Sequence, residues 1–138
     1  MAADSAVRRR YFLRVGISMA VYVVSLLAAD YLIEDMQIGG ATAYALALVP
    51  GLAVVGMFYA MGRFMLELTD EFMRMLAVRQ QMIAAGFALS VAVVWGFLEE
   101  FLLVPHAEAY WIVVVWALGT FVGALSNRIT HGSWGECW

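Results

Sequence analysis

The stretch Arg8–Leu32, RRRYFLRVGISMAVYVVSLLAADYL, decides the fold. Arg8, Arg9, Arg10 and Arg14 crowd its start, and the run Val15–Leu32 behind them is almost wholly apolar. A helix needs about 17–25 apolar residues to cross a hydrocarbon core, and this run has the length. It resembles a secretory leader at first sight. It lacks a small-x-small cleavage site before a polar region, and further apolar runs follow, so a retained first span is the better reading.

Three more runs lie downstream: Ala41–Met61, Met82–Val104 and Tyr110–Ser126. Composition agrees with four spans. Of the 138 residues 64% are hydrophobic and only 14% charged, and the mean hydropathy is +0.84. A soluble domain of this size is closer to half apolar and could not hide such an excess from water. The expected architecture is therefore all-α: a single polytopic domain over 1–138, its four transmembrane helices forming two antiparallel hairpins.

The arginines orient it. All eight basic residues are Arg. Four precede the first run, Arg63, Arg74 and Arg79 lie between the second and third, and Arg128 follows the fourth. The short connections Ile33–Gly40 and Pro105–Ala109 carry none. The positive-inside rule places both termini in the cytoplasm, across a bacterial inner membrane. The opposite side is acidic, with Asp30, Glu34 and Asp35 at one exit and Glu99, Glu100 and Glu108 near the other. Tyr11, Phe12, Tyr31, Tyr110 and Trp111 sit where headgroup layers are expected, the preferred place for amphipathic rings.

The connection Gly62–Gln81, GRFMLELTDEFMRMLAVRQQ, has no Pro and reads as helical. Arg63, Glu67, Asp70, Glu71 and Arg74 recur at three- and four-residue spacing, with Arg63–Glu67 and Asp70–Arg74 as i,i+4 pairs. Either the second helix extends into the cytoplasm, or the chain turns at Thr69 into an amphipathic helix. This connector is a solvated surface helix or a docking surface for a protein partner, with Met65, Met73 and Met75 lending adaptability. The expected contacts are Arg63, Glu67, Asp70, Glu71, Arg74 and Arg79.

On the acidic side, Asp30, Glu99, Glu100, His106 and Glu108 form a cluster without an assigned role. A carboxylate within a span is a functional hint by default, but the spacing of these residues matches no metal-ligand motif. Capping of the outer surface is the plainer reading, and no metal or cofactor is expected. Small residues mark helix packing: Gly119 and Gly123 form a GxxxG, and Gly51, Gly56 and Ala60 make a stripe on the second helix. Pro50 should kink that helix. The motif suits a packed monomer and a homo-oligomer equally.

Enzyme signatures are absent from the sequence: no phosphate loop, no HExxH, and no nucleophile elbow around Ser18, Ser25, Ser90 or Ser126. His131 and Cys137 lie close in sequence, but no partner completes a nucleophilic site. Cys137 is the one cysteine, so neither an internal disulfide nor a multi-thiolate zinc site can form. Without a basic face on a water-soluble domain, direct nucleic-acid binding is not expected.

The segment Thr69–Glu99 resembles an uncharacterised family of small proteobacterial four-helix membrane proteins. Asp70-Glu71-Phe72-x-Arg74, Arg79-Gln80, Gly86-Phe87-Ala88 and Trp95-Gly96-Phe97-Leu98-Glu99 carry the resemblance, which extends over about the last two-thirds of the chain. Relatives are sometimes encoded beside a short helix-turn-helix regulator, so the resemblance implies a membrane protein that engages a soluble DNA-binding partner. The leading expectation is a noncatalytic membrane protein that regulates or anchors a cytoplasmic protein through its connector. The alternatives are an accessory subunit of a larger membrane complex, packing through its small-residue stripes, and an oligomeric small transporter or channel.

Overall fold

A computed structural model describes residues 2–134, with the side chains of residues 2–4 left aside. Cys137 lies outside the described residues. Helix α1 (Ala2–Asp30) passes into a π-turn at Tyr31–Asp35 and is followed by α2 (Ala41–Glu67), α3 (Glu71–Glu100) and α4 (Trp111–His131). No strand occurs among the described residues. All four helices are long and apolar enough to cross a membrane.

Burial inside the protein is slight. Even in the best-covered of the four, α4, only 22% of the most apolar window is buried. Leu48, Leu52, Val55 and Tyr59 of α2 and Val93, Val94 and Phe97 of α3 are all exposed. So much uncovered apolar surface on helices of spanning length is compatible with a hydrocarbon surround, because in water it would drive association. Apart from its first and last turns a helix satisfies its backbone groups internally, so such a surround costs the middle of the main chain little.

Packing divides the chain into two compact units, Met1–Thr69 and Asp70–Trp138. In the first, α1 packs against α2. Tyr11 stacks on Phe64 with ring centroids 4.5 Å apart, and a Cβ on Gly56 would come within 3.3 Å of Ser18 Oγ. These pairs run in opposite directions along the two helices, which are antiparallel. Pro50 lies inside α2 and is buried there.

In the second unit α3 and α4 run antiparallel in a regular register. Asn127 Nδ2 donates to the Leu76 carbonyl at 3.0 Å. A Cβ on Gly123 would lie 2.7 Å from the Gln80 carbonyl oxygen, and one on Gly119 2.8 Å from that of Ala84. Each step is four residues on in α3 and four back in α4. Leu76, Gln80, Ala84 and Ala88 of α3 and Asn127, Gly123 and Gly119 of α4 are accordingly buried. Both glycines of the GxxxG therefore face α3 of their own chain, whereas a Cβ on Gly51 would meet nothing within 4 Å.

The helix ends differ from the apolar runs. Between α2 and α3 the break is confined to Leu68, Thr69 and Asp70. The cap is Asp70 and not Thr69: its carboxylate accepts from the amides of Phe72 at 2.8 Å and Met73 at 3.3 Å, satisfying two donors that the first turn would otherwise leave unpaired. The helical part of Gly62–Gln81 is thus the last turns of α2 and the first turns of α3. At its other end α3 stops at Glu100, short of the Val104 expected from the apolar run. Leu102 N–H donates to the Glu99 carbonyl and Leu103 N–H to that of Leu98, both at 2.9 Å, the pattern of a Schellman motif. Leu102 holds the left-handed position at φ 56°, where glycine is usual, so no glycine marked the stop. The fourth helix outlasts its apolar run by five residues, reaching His131 and closing on Gly132 at φ 68°.

Replacing Gly123 with Ala is expected to force α3 and α4 apart. Overpacking of this kind costs about 1–3 kcal/mol, so thermal unfolding in detergent should shift clearly downward. Gly51→Ala should leave the midpoint unchanged or slightly higher. Equal midpoints for the two variants would show that the α3–α4 contact is not tight.

Candidate functional site

The expected partner-contacting residues of the connector are for the most part engaged within the protein. Glu67 accepts from Arg14 of α1 at 3.1 Å and from Arg63 at 3.3 Å. One carboxylate thus ties the arginine-rich start of α1 to the end of α2, and the expected Arg63–Glu67 pair is part of that tie. Asp70 is the cap described above. Arg79 reaches across to α4, donating to Ser126 Oγ at 3.2 Å, Asn127 Oδ1 at 3.4 Å and Thr130 Oγ1 at 3.1 Å. Among the described residues no carboxylate lies within ion-pair distance of Arg79. Its charge is held by neutral oxygens, an arrangement suited to a cation near the headgroup layer.

Next to Arg79 is a buried polar seam. Gln80 and Asn127 are 1% and 0% exposed. Gln80 Nε2 donates to the Thr120 carbonyl at 3.0 Å, while its Oε1 has no partner. Amide side chains joining two helices inside a membrane contribute modestly, roughly 0.6 kcal/mol on average, but they discriminate register. Gln80, Ser126, Asn127 and Thr130 were not singled out from the sequence as site residues. The four-residue spacing from Gly119 through Gly123 to Asn127 was the available signal.

Glu71 and Arg74, the two other expected contacts, are exposed in the first turns of α3. With Met75, Val78 and Met82 they line a shallow trough of about 660 Å³ on the helix surface. Met75, Val78 and Met82 are 45%, 42% and 71% exposed. Residues 71, 74, 75, 78 and 82 share one face by helical period.

The acidic cluster divides. Asp30 is exposed at the end of α1, in the first unit, and Glu100 is exposed at the end of α3. Glu99 and His106 come together: His106 Nδ1 donates to Glu99 Oε1, and the Ala107 amide donates to Glu99 Oε2 at 3.4 Å. The hydrogen bond to Glu99 and then the charge of Glu99 raise the His106 pKa above the usual imidazole value, with burial opposing them and the charge of Glu108 adding least. No group of three His, Cys, Asp or Glu able to hold a metal gathers among the described residues.

This pair belongs to the wall of a cleft of about 670 Å³, lined by the C-terminal turns of α3, the first turns of α4 and the connection joining them. Its walls are apolar, with Trp95 from α3 and Trp111 from α4, and its polar residues are Glu99, His106 and Glu108. Both tryptophans lie well away from the connector on which partner contacts were expected. In comparisons with family models, curated proteins and solved structures, the chain matches none.

The raised His106 pKa links the connection to pH. Stability from the Glu99 pair is fully present below the unfolded imidazole value of about 6.5 and is lost as pH rises through the higher folded value. Imidazole resonances of His106 followed by NMR should titrate above the free-histidine midpoint in the protein and return to it in Glu99→Gln. An unshifted midpoint in the parent protein would mean that the pair does not form in solution.

Proposed function

We propose that the chain is a noncatalytic multi-pass protein of the bacterial inner membrane that regulates or anchors a cytoplasmic protein. Both termini face the cytoplasm, on the strength of the arginine distribution. The observation that carries the reading is the exposed face of α3 formed by Glu71, Arg74, Met75, Val78 and Met82. It joins two opposite charges to the adaptable side chains of Met75 and Met82 and to Val78, a combination that accepts an amphipathic surface of a partner.

Within the connector the docking surface is narrower than the run of charges implied. Glu67, Asp70 and Arg79 contact the protein's own helices, and the partner is assigned to the first turns of α3 because Glu71 and Arg74 are exposed there beside Met75, Val78 and Met82. A helix-turn-helix regulator is the partner class that the family resemblance implies. The accessory-subunit reading draws on the small-residue stripes of both α2 and α4. Gly119 and Gly123 are turned toward Ala84 and Gln80 of the same chain, whereas Gly51 of α2 faces open space, so on that reading the lateral contact is assigned to α2.

Orientation is tested with single cysteines in a Cys137→Ser background. Gln37→Cys should react with a membrane-impermeant thiol reagent in whole spheroplasts, and Ser5→Cys only in inverted vesicles. The reverse pattern would overturn the topology.

The interaction is tested by mild-detergent pull-down of tagged full-length protein, read by mass spectrometry. A stoichiometric soluble partner is expected. It should be lost at least about tenfold, a difference of about 1.4 kcal/mol, in Glu71→Ala/Arg74→Ala with unchanged thermal stability. Retention of the partner by that variant sinks the assignment to α3.

A further inference from the structure

The geometry points to the cleft between Trp95, Glu99, Glu108 and Trp111 as a binding site for a lipophilic organic cation. This goes beyond the partner surface on α3 and does not depend on it.

The cleft follows from the sequence of α4. Along the face that meets α3, the four-residue steps back from Asn127 are Gly123, Gly119, Val115 and Trp111. Where the glycines stand, the two backbones touch. Continuing the same register puts Val115 across from Ala88 and Trp111 across from Ala92, and side-chain bulk now holds the helices apart. The opening that results has the volume of a small-molecule site, for which about 300–1,000 Å³ is usual.

Its chemistry selects the ligand. Apolar side chains of both helices line the body of the cleft, and two carboxylates, Glu99 and Glu108, belong to its wall. His106 is the one group there able to carry a positive charge, and it is already donating to Glu99. An anion would meet two carboxylates and no available cation. A cation meets the carboxylate of Glu108, Glu99 being engaged by His106 and the Ala107 amide, together with two indoles, the aromatic side chain that attracts positive charge most strongly.

The same balance decides between sources of the charge. The headgroup of an ethanolamine lipid brings a phosphate along with its amine, and the phosphate would be set against Glu99 or Glu108 with nothing to pair it. A free cation with apolar substituents has no such penalty. Its apolar groups take the place of lipid against Ala88, Val91 and Ile112, and its charge remains near the mouth.

The probe is tetraphenylphosphonium, added to full-length protein in an uncharged maltoside detergent and followed by tryptophan fluorescence and equilibrium dialysis. Saturable binding at one site per chain is expected. Trp111→Leu and Glu108→Gln should each weaken it about fivefold, the upper end for a cation–π contact at an exposed site. Glu100→Gln, outside the cleft, should bind as the parent does. Glu108 makes no side-chain hydrogen bond within the cleft's wall that folding would miss, and unchanged circular dichroism and unfolding midpoint certify each variant. Binding that fails to saturate, or that is equal in all variants, overturns the proposal. So does displacement of the probe by phosphatidylethanolamine at equal or lower concentration, which would identify the occupant as a lipid headgroup.

Discussion

The approach of Gly123 to the backbone of Gln80 sets the distance between α3 and α4, and the rest of the second unit is arranged around it. In hydrocarbon, two apolar helices gain little by hiding from their surround, since lipid tails are as apolar as leucine. What remains is dispersion between close surfaces, and that falls steeply with a gap of even half an ångström. Small residues at Gly119, Gly123, Ala84 and Ala88 bring the surfaces close enough for it to count. Once the backbones are in contact, Asn127 can reach the Leu76 carbonyl and Gln80 that of Thr120. A shift in register would strand both amides in an apolar setting, so the polar pairs enforce the alignment that the glycines permit.

Each unit also carries an arginine that crosses from one helix to the next. In the first, Arg14 meets the carboxylate of Glu67, which also holds Arg63. In the second, Arg79 is held by the oxygens of Ser126, Asn127 and Thr130. The two solutions have different consequences. Glu67 offsets positive charge that Arg8, Arg9 and Arg10 concentrate at the start of α1, and its ion pairs weaken as salt rises. Arg79 has no carboxylate partner among the described residues, and its orientation is fixed by groups that do not titrate. Both keep a guanidinium at the end of a span with its stem along apolar surface, where a charge deeper in the bilayer would be costly.

Much of the architecture was legible in the sequence. Four apolar runs of spanning length correspond to four helices of spanning length, because length and hydropathy are properties of the run itself. Helix ends were less legible, for local reasons. Leu102 adopts a conformation that its side chain disfavours by about 1–2 kcal/mol, and a sequence reading seeks glycine at that position. Asp70 caps where Thr69 was equally eligible by type, and only the φ and ψ of the break choose between them. The connector charges were visible, but not that Glu67 and Arg79 would be spent on partners 53 and 47 residues away. Spacing along one helix reveals which residues share a face and leaves open what that face meets.

The outer end of α3 shows how these local choices combine. Glu99 falls within the last turn of a membrane helix, and its side chain is about one-third exposed. Had the helix continued through Leu103 and Val104, as the apolar run suggested, the carboxylate would sit more than a turn inside the span without a partner, and the cost of an ionised group rises with depth toward about 2.5–3.5 kcal/mol at the helix centre. The stop at Glu100 removes that burden. It turns the chain at Leu102, and the returning connection carries His106 and the Ala107 amide back onto both oxygens of Glu99. The strain at Leu102 is therefore offset at the same turn by the hydrogen bonds that the reversal allows. Because the connection is tied down on the α3 side, and Trp111 and Val115 hold α4 away on the other, the space beneath it stays open. A tight interface at one end of the hairpin and an accessible cleft at the other thus arise from a single progression of side-chain size along α4.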